Sequence, residues 1–367
     1  MRLNVLGDIT RPLQTDTGPR SIGAVKVLRV SVTDRCNFRC VYCMPEEGVR
    51  WLPKGDILTF EEIVEIARAA IAIHGIRRFK LTGGEPTIRH GIVELVRLLR
   101  QIDGIEDLSL TTNGLVLDDL ARPLKEAGLD RVTVSIDSLR PDRFRRITRT
   151  GDLERVLKGL DRCEQVGLGS VKVNCVTRRR TNDDEVVDFA RLTLGRRMTV
   201  RFIEYMPLGD AAIQGSQRTI DDSEVGPAGG CGAQDRGANA FISEAEVRAA
   251  IEARLGTLIP VDRASEAGVG PANVYRLSGN PAGRIGFISA MSAPFCSTCN
   301  RLRLTANGVL RSCLFEGGEV DVRSILRGVA PPAPRRAALG QAMVDCVRLK
   351  PDVHGSRGSQ QMSRIGG

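Results

Sequence analysis

Between residues 25 and 204 the chain alternates six short runs of aliphatic and β-branched residues with amphipathic segments. Strand-like runs fall over 25–32, 78–82, 108–112, 131–136, 170–175 and 199–203. Helix-like segments begin at Phe60, where Thr59 and Glu62 form a capping-box pattern, and recur over 91–100, 117–127, 153–166 and 183–194. Strands that alternate with helices pair in parallel through right-handed crossovers. Six such units, short of the eight of a closed barrel, predict an α/β fold: an incomplete (β/α)6 barrel that gathers ligands at the C-terminal ends of its strands.

Beyond residue 208 the pattern changes. A Gly-rich stretch, including Gly226-Pro227-Ala228-Gly229-Gly230-Cys231-Gly232, reads as loop. A helix over 244–255 opens a second, smaller α+β region that Pro331-Pro332-Ala333-Pro334 interrupts. The expected organisation is an N-terminal extension over 1–24, a partial barrel over 25–208, an insertion over 209–242, and a C-terminal region over 243–367 that closes the barrel's open side.

The chain carries ten cysteines. It has no apolar run of the ~18 residues a membrane span needs and no signal-peptide core at Met1-Arg2-Leu3-Asn4-Val5. These features predict a cytoplasmic protein with no membrane partner, whose thiols serve metal ligation, catalysis or packing instead of disulfides. Cys36, Cys40 and Cys43 form C-x3-C-x2-C directly after the first strand. Structural zinc takes four protein ligands, whereas a [4Fe–4S] cluster held by three thiolates keeps one iron open. An open iron can chelate the amino and carboxylate groups at the methionine end of S-adenosylmethionine (SAM). Cys296, Cys299 and Cys313 form a second triad, which Cys231 or Cys346 could complete as a zinc site or closed cluster. Cys163 and Cys175 fit helix and strand patterns and read as core packing.

Two further features suit an anionic ligand. The net charge is +9, and Arg301 and Arg303 lie two apart beyond Cys299, on one side of an extended segment. Paired guanidiniums beside a cluster form a receptor for a polyanion such as a triphosphate. Aromatics are 4% of residues and show no stacking pattern, so nucleic acid is not an expected partner.

The C-x3-C-x2-C spacing, with Leu81-Thr82-Gly83-Gly84-Glu85-Pro86 closing the second strand, resembles the radical SAM superfamily. Three more segments narrow the resemblance: Cys296-Ser297-Thr298-Cys299-Asn300-Arg301-Leu302-Arg303-Leu304, Arg201-Phe202-Ile203-Glu204-Tyr205-Met206-Pro207, and the ending Ile365-Gly366-Gly367. Together they look like the GTP 3′,8-cyclases of molybdenum cofactor biosynthesis.

That resemblance implies two [4Fe–4S] clusters on the six triad cysteines and SAM contacts at Tyr42, Gly84, Ser135 and Met206. It places GTP on Arg29, Lys80, Thr111, Lys172, Arg301, Leu302 and Arg303. Catalytic roles fall to Arg29, Arg301, Arg303 and the Gly366–Gly367 tail. It further implies a one-electron reductant and a downstream cyclic pyranopterin monophosphate synthase as partners, and leaves a homodimer open. Lys80 departs from the arginine usual in the family, so Arg78 is a candidate replacement. Two other readings compete. A radical SAM peptide maturase also uses auxiliary clusters but generally needs more cysteines. A zinc-dependent nucleic-acid binder leaves Cys36, Cys40, Cys43 and Gly83–Pro86 without a role.

Overall fold

The computed structural model describes residues 18–208, 240–262, 270–315 and 318–355. Cys231, Gly366 and Gly367 lie outside the described residues. Strands β1 (Val27–Ser31), β2 (Arg78–Thr82), β3 (Asp107–Thr112), β4 (Arg131–Ser135), β5 (Val171–Thr177) and β6 (Met198–Glu204) lie side by side in chain order. Every adjacent pair is parallel. The helices between them are α1 (Phe60–His74), α2 (Ile92–Arg100), α3 (Leu117–Glu126), α4 (Pro141–Thr148), α5 (Leu153–Gln165) and α6 (Val186–Arg191).

Local chemistry accounts for the well-formed helices. In α1 the Thr59 hydroxyl accepts from the Glu62 amide and the Glu62 carboxylate from the Thr59 amide, while Gly75 ends the helix at φ 62°. Its buried stripe, from Ile63 to Ala70, packs toward the sheet. Two expectations need correction. The helix expected over 183–194 is a 3-10 turn (Asp183–Glu185) followed by the six-residue α6. Buried Glu185 turns inward there, accepting from Ser138 Oγ at 2.8 Å and the Leu139 amide at 2.6 Å. Helix α4 was not expected, because only Phe144 and Ile147 mark its apolar face.

The C-terminal elements are α7 (Glu244–Leu255), β7 (Leu258–Pro260), β8 (Asn273–Leu277), β9 (Arg284–Ile288), β10 (Arg301–Leu304), β11 (Val309–Arg311), β12 (Glu319–Asp321), α8 (Arg323–Arg327) and α9 (Pro332–Arg348). Their strands extend both edges of the same sheet. β9 lies parallel beside β6, and β10 parallel beside β1, giving the order β12-β11-β10-β1-β2-β3-β4-β5-β6-β9-β8-β7. The order ends on two edges, so the barrel is incomplete. The proline run does not interrupt this region as expected. Pro332 and Pro334 occupy the first turn of α9, where backbone N–H groups have no helical acceptor to lose.

Each barrel strand has two faces. On β1, Leu28 and Val30 are buried in the hydrophobic core, while Val27 and Arg29 line a cavity on the other side. The same alternation puts Lys80 and Thr82, then Ser109 and Thr111, on that inner face. The core therefore lies between sheet and helices, and the barrel interior is left for polar groups.

Candidate active site

All six triad cysteines line one cavity of about 360 Å³. The first triad sits on the loop after β1, and backbone bonds fix that loop. The Arg39 and Val41 amides donate to the carbonyls of Thr148 and Ile147 at 3.0 Å each. Arg149, just past α4 and held at φ 62°, donates from Nη1 to the carbonyls of Arg39 at 2.9 Å and Met44 at 3.1 Å. The unexpected helix is thus what docks the cysteine loop.

Gly83 and Gly84 serve the same packing. A Cβ on Gly83 would lie 2.5 Å from the Thr33 carbonyl oxygen, and one on Gly84 2.3 Å from that of Arg35. Their amide and side-chain economy lets the β2 loop touch the β1 loop directly; both glycines also line the cavity. Glu85 beside them is buried, and its carboxylate accepts from Thr87 N (2.9 Å), Thr87 Oγ1 (2.5 Å), Thr112 Oγ1 (2.6 Å) and Asn113 N (2.6 Å). Tyr42 donates its hydroxyl to Asp137 Oδ2 at 2.5 Å. Burial and the Asp137 charge hold the Tyr42 phenol well above its ordinary range. Burial, then Glu85, pushes the Cys36 thiol up to about 11, and burial, Cys43 and Asp137 push Cys40 up as well.

The second triad has different neighbours. Cys296 opens a 3-10 turn (Cys296–Thr298) before β10, and Cys299 caps its end. Buried Lys350 donates from Nζ to the Cys299 carbonyl at 3.1 Å. Burial works to raise the Cys299 thiol, but Arg301, Lys350 and Arg303 outweigh it and hold the thiol below its ordinary value. The His354 ring stacks on Phe315 with centroids 4.0 Å apart, and its Nε2 lies 2.8 Å from the Ala290 carbonyl oxygen.

The donors fit two iron–sulfur clusters. Each triad brings three thiols to the cavity, while Cys163, Cys175 and Cys346 are buried outside its lining. Cys346 donates its thiol to the Gly318 carbonyl at 3.0 Å instead. Among the described residues no three Cys, His, Asp or Glu side chains gather closely enough for a single metal ion. A four-iron cluster takes each thiolate on a separate iron.

Among the described residues the cavity lining holds seven Lys/Arg and three Asp/Glu. Asp107 pairs with Arg131, accepting from its Nε at 2.8 Å. Arg29, Lys80, Lys172, Arg301 and Arg303, all expected at the site, do line the cavity, as do Thr111, Tyr42, Gly84, Ser135 and Met206. Burial first, then Arg303, Arg301 and Arg201, lowers the Arg29 guanidinium; burial and Arg301 bring Arg303 down to about 10. Two expectations fail. Leu302 is fully buried in the core on the opposite face of β10 from its arginine neighbours, so its side chain does not line the cavity. Arg78 does not stand in for an arginine at 80: it pairs with Glu106 at 3.1 Å, outside the cavity lining.

Sequence reasoning missed Arg201, Arg131, Thr133, Asn174, Asp137 and His354, all in the lining. A period of two would have found some of them, since Asn174 follows Lys172 and Thr133 precedes Ser135 on inward positions. Thr111 Oγ1 and Asn174 Oδ1 are buried with no hydrogen-bond partner in the structure. Buried polar atoms are normally satisfied, so these two fit a polar ligand.

A parallel β/α sheet that presents a C-x3-C-x2-C loop and a Gly-Gly-Glu turn at one mouth defines a radical SAM protein. Residues 30–193 match the Radical SAM superfamily, and residues 223–356 match Molybdenum Cofactor Synthesis C. In fold, the chain is similar to Streptococcus suis SuiB bound to S-adenosylmethionine, with a TM-score of 0.54 at 10% identity over 88% of this chain and 68% of that one. It is 47% identical to the GTP 3′,8-cyclase of Pelotomaculum thermopropionicum, over 94% of this chain and 98% of that protein. Identity to the Moorella thermoacetica GTP 3′,8-cyclase is 43%, over the same shares of the two chains. The chain belongs to the GTP 3′,8-cyclase family.

Proposed function

We propose that the chain converts GTP to (8S)-3′,8-cyclo-7,8-dihydroguanosine 5′-triphosphate, the first step of molybdenum cofactor biosynthesis. One observation carries this reading: both cysteine triads and a wall of cations face a single cavity. When bound, the first cluster and SAM would supply a 5′-deoxyadenosyl radical to take the C3′ hydrogen, C3′ would then bond to guanine C8, and one electron from the reductant with one proton would complete the 7,8-dihydro ring.

The chain's own residues position and shield that chemistry. Cys36, Cys40 and Cys43 hold the first cluster, and Cys296, Cys299 and Cys313 the second. Tyr42, Gly84, Ser135 and Met206 surround SAM near the first triad. Arg29, Lys80, Lys172, Arg301 and Arg303 neutralise the triphosphate, with Thr111 as a hydrogen-bonding partner and Arg201 as a further cation. Burial and neighbouring cations lower the Arg29 guanidinium and bring Arg303 down to about 10, so the negative charge of a bound triphosphate favours their charged forms. The family resemblance gives the Gly366–Gly367 tail a catalytic role; both residues lie outside the described residues. The substrate polyanion comes from a cytoplasmic pool, and a one-electron reductant and a downstream cyclic pyranopterin monophosphate synthase complete the path. Among the described residues no helix is long and apolar enough to cross a membrane.

Anaerobic incubation of the reconstituted protein with SAM, a chemical reductant and GTP tests the reading. Formation of 5′-deoxyadenosine together with the cyclised triphosphate is expected. Its absence, with about eight irons bound per chain, overturns the assignment.

A further inference from the structure

The cavity's cations are not spread evenly. Strand register sets Arg303, Arg29 and Lys80 abreast on β10, β1 and β2. Like charges directly opposite one another on neighbouring strands repel. Lys80 points into the cavity and donates from Nζ to Thr133 Oγ1 at 3.1 Å, a hydroxyl that also accepts from Arg201 Nη2 at 3.3 Å. Each surrounding strand adds to the crowding: Arg29 on β1, Arg131 on β4, Lys172 on β5, Arg201 on β6, and Arg303 on β10 next to Arg29. From β3 come Ser109, Thr111 and Asp107, and that one carboxylate is engaged by Arg131.

Burial, then Arg201, Arg29, Lys172 and Arg131, pushes the Lys80 ammonium well below the ordinary lysine range. Arg201 and Arg303 are lowered to about 10, and burial with Arg303, Arg301 and Arg201 lowers Arg29 as well, but a guanidinium holds its proton more strongly than an ammonium. Lysine is the residue type that shifts readily when buried. Lys80, abreast of Arg29 and sharing the Thr133 hydroxyl with Arg201, is the lysine placed for the wall to relieve its repulsion through it. A polyanion that enters reverses the balance by supplying the missing negative charge.

We propose that Lys80 stands as a neutral amine while the cavity holds no anion, and takes up one proton from solvent when a triphosphate binds. The resulting ammonium donates to Thr133 and to phosphate oxygen. This rests on the polyanion reading of the site. The sign follows from linkage. The bound complex holds the proton more tightly than the free protein, so binding consumes a proton at pH values between the two affinities. Over that window the apparent affinity falls as pH rises, by up to about tenfold per pH unit for one proton. Below the window Lys80 is already charged, and affinity loses this dependence.

The test is anaerobic isothermal titration calorimetry of the two-cluster protein, with GTP and separately with inorganic tripolyphosphate. Each is run at one pH in buffers of different ionisation enthalpy, over neutral to alkaline pH. Wild type is expected to take up about one proton more per ligand bound than Lys80→Arg or Lys80→Met, since neither replacement can switch charge. Protons carried by the phosphate are common to all three proteins and cancel in the difference. Equal counts in wild type and a binding-competent variant overturn the proposal, and so does a wild type with no net uptake at any pH. If tripolyphosphate binds with the extra proton and GTP does not bind, the inference stands and the nucleotide reading falls. If GTP binds with equal counts, the reading stands and the inference falls. If neither ligand binds wild type, both fall.

Discussion

The loop of Cys36, Cys40 and Cys43 lies beside two buried carboxylates, Glu85 and Asp137, whereas Cys296, Cys299 and Cys313 lie beside Arg301, Arg303 and Lys350. The thiols register the difference. Burial and Glu85 raise Cys36 to about 11, while cations draw Cys299 below its ordinary value against the opposing effect of burial. Burial still raises Cys296, so the contrast lies in the neighbouring charges: equal donor counts occupy different electrostatic settings on one cavity. Local net charge is among the factors that set a cluster's potential. The comparison teaches that one fold can set carboxylates beside one triad and cations beside the other.

Removing one thiol from each triad gives the largest effects. Cys40→Ala and Cys299→Ala are each expected to lose about half of about eight irons. Only Cys40→Ala should abolish 5′-deoxyadenosine formation; Cys299→Ala should keep it and lose the cyclised product. Iron analysis with chromatography of both products decides this, and loss of 5′-deoxyadenosine in both variants would break the division of labour. Next comes the cationic end. Arg303→Leu is expected to raise the KM for GTP about 10- to 100-fold, matching the ~1.5–3 kcal/mol of a charge-assisted hydrogen bond, with iron content unchanged. An unaltered KM would remove Arg303 from the anion site.

At the first triad the expected loss is structural. Gly84→Ala brings a methyl group against backbone that has no side chain to move aside. It should cost about 1–3 kcal/mol, read as a lower denaturation midpoint and weaker SAM binding. Wild-type stability would mean that the two loops part easily. The smallest effect sharpens the comparison most. Lys350→Met removes one buried positive charge and should lower the reduction potential of the second cluster alone, seen in a redox titration followed by electron paramagnetic resonance. Equal displacement of both clusters would count against separate electrostatic settings.

The alternation of strand and helix patterns was enough to place β1 to β6 in parallel order, because each unit carries its own apolar period. It failed where the signal was thin or the cause lay elsewhere. Helix α4 shows only two core residues, and the segment after Asn182 bends because Glu185 seeks Ser138 and Leu139. At the site, the cysteines and glycines were legible from spacing, and Arg301 and Arg303 from alternation. Arg201 and His354 were not, since nothing local distinguishes them from a buried strand arginine and a histidine near a chain end. The juxtaposition of Arg29 with Arg303 depends on a pairing between strands at opposite ends of the chain, which no local pattern encodes.

That pairing has a consequence for synthesis. Strand β1 leaves the ribosome long before β10 exists, so one flank of it has no hydrogen-bonding neighbour until β10 follows. Exposed strand edges invite pairing with other chains. A chain cut short before β10 would carry bare backbone along that flank of β1, an aggregation hazard as well as an incomplete site.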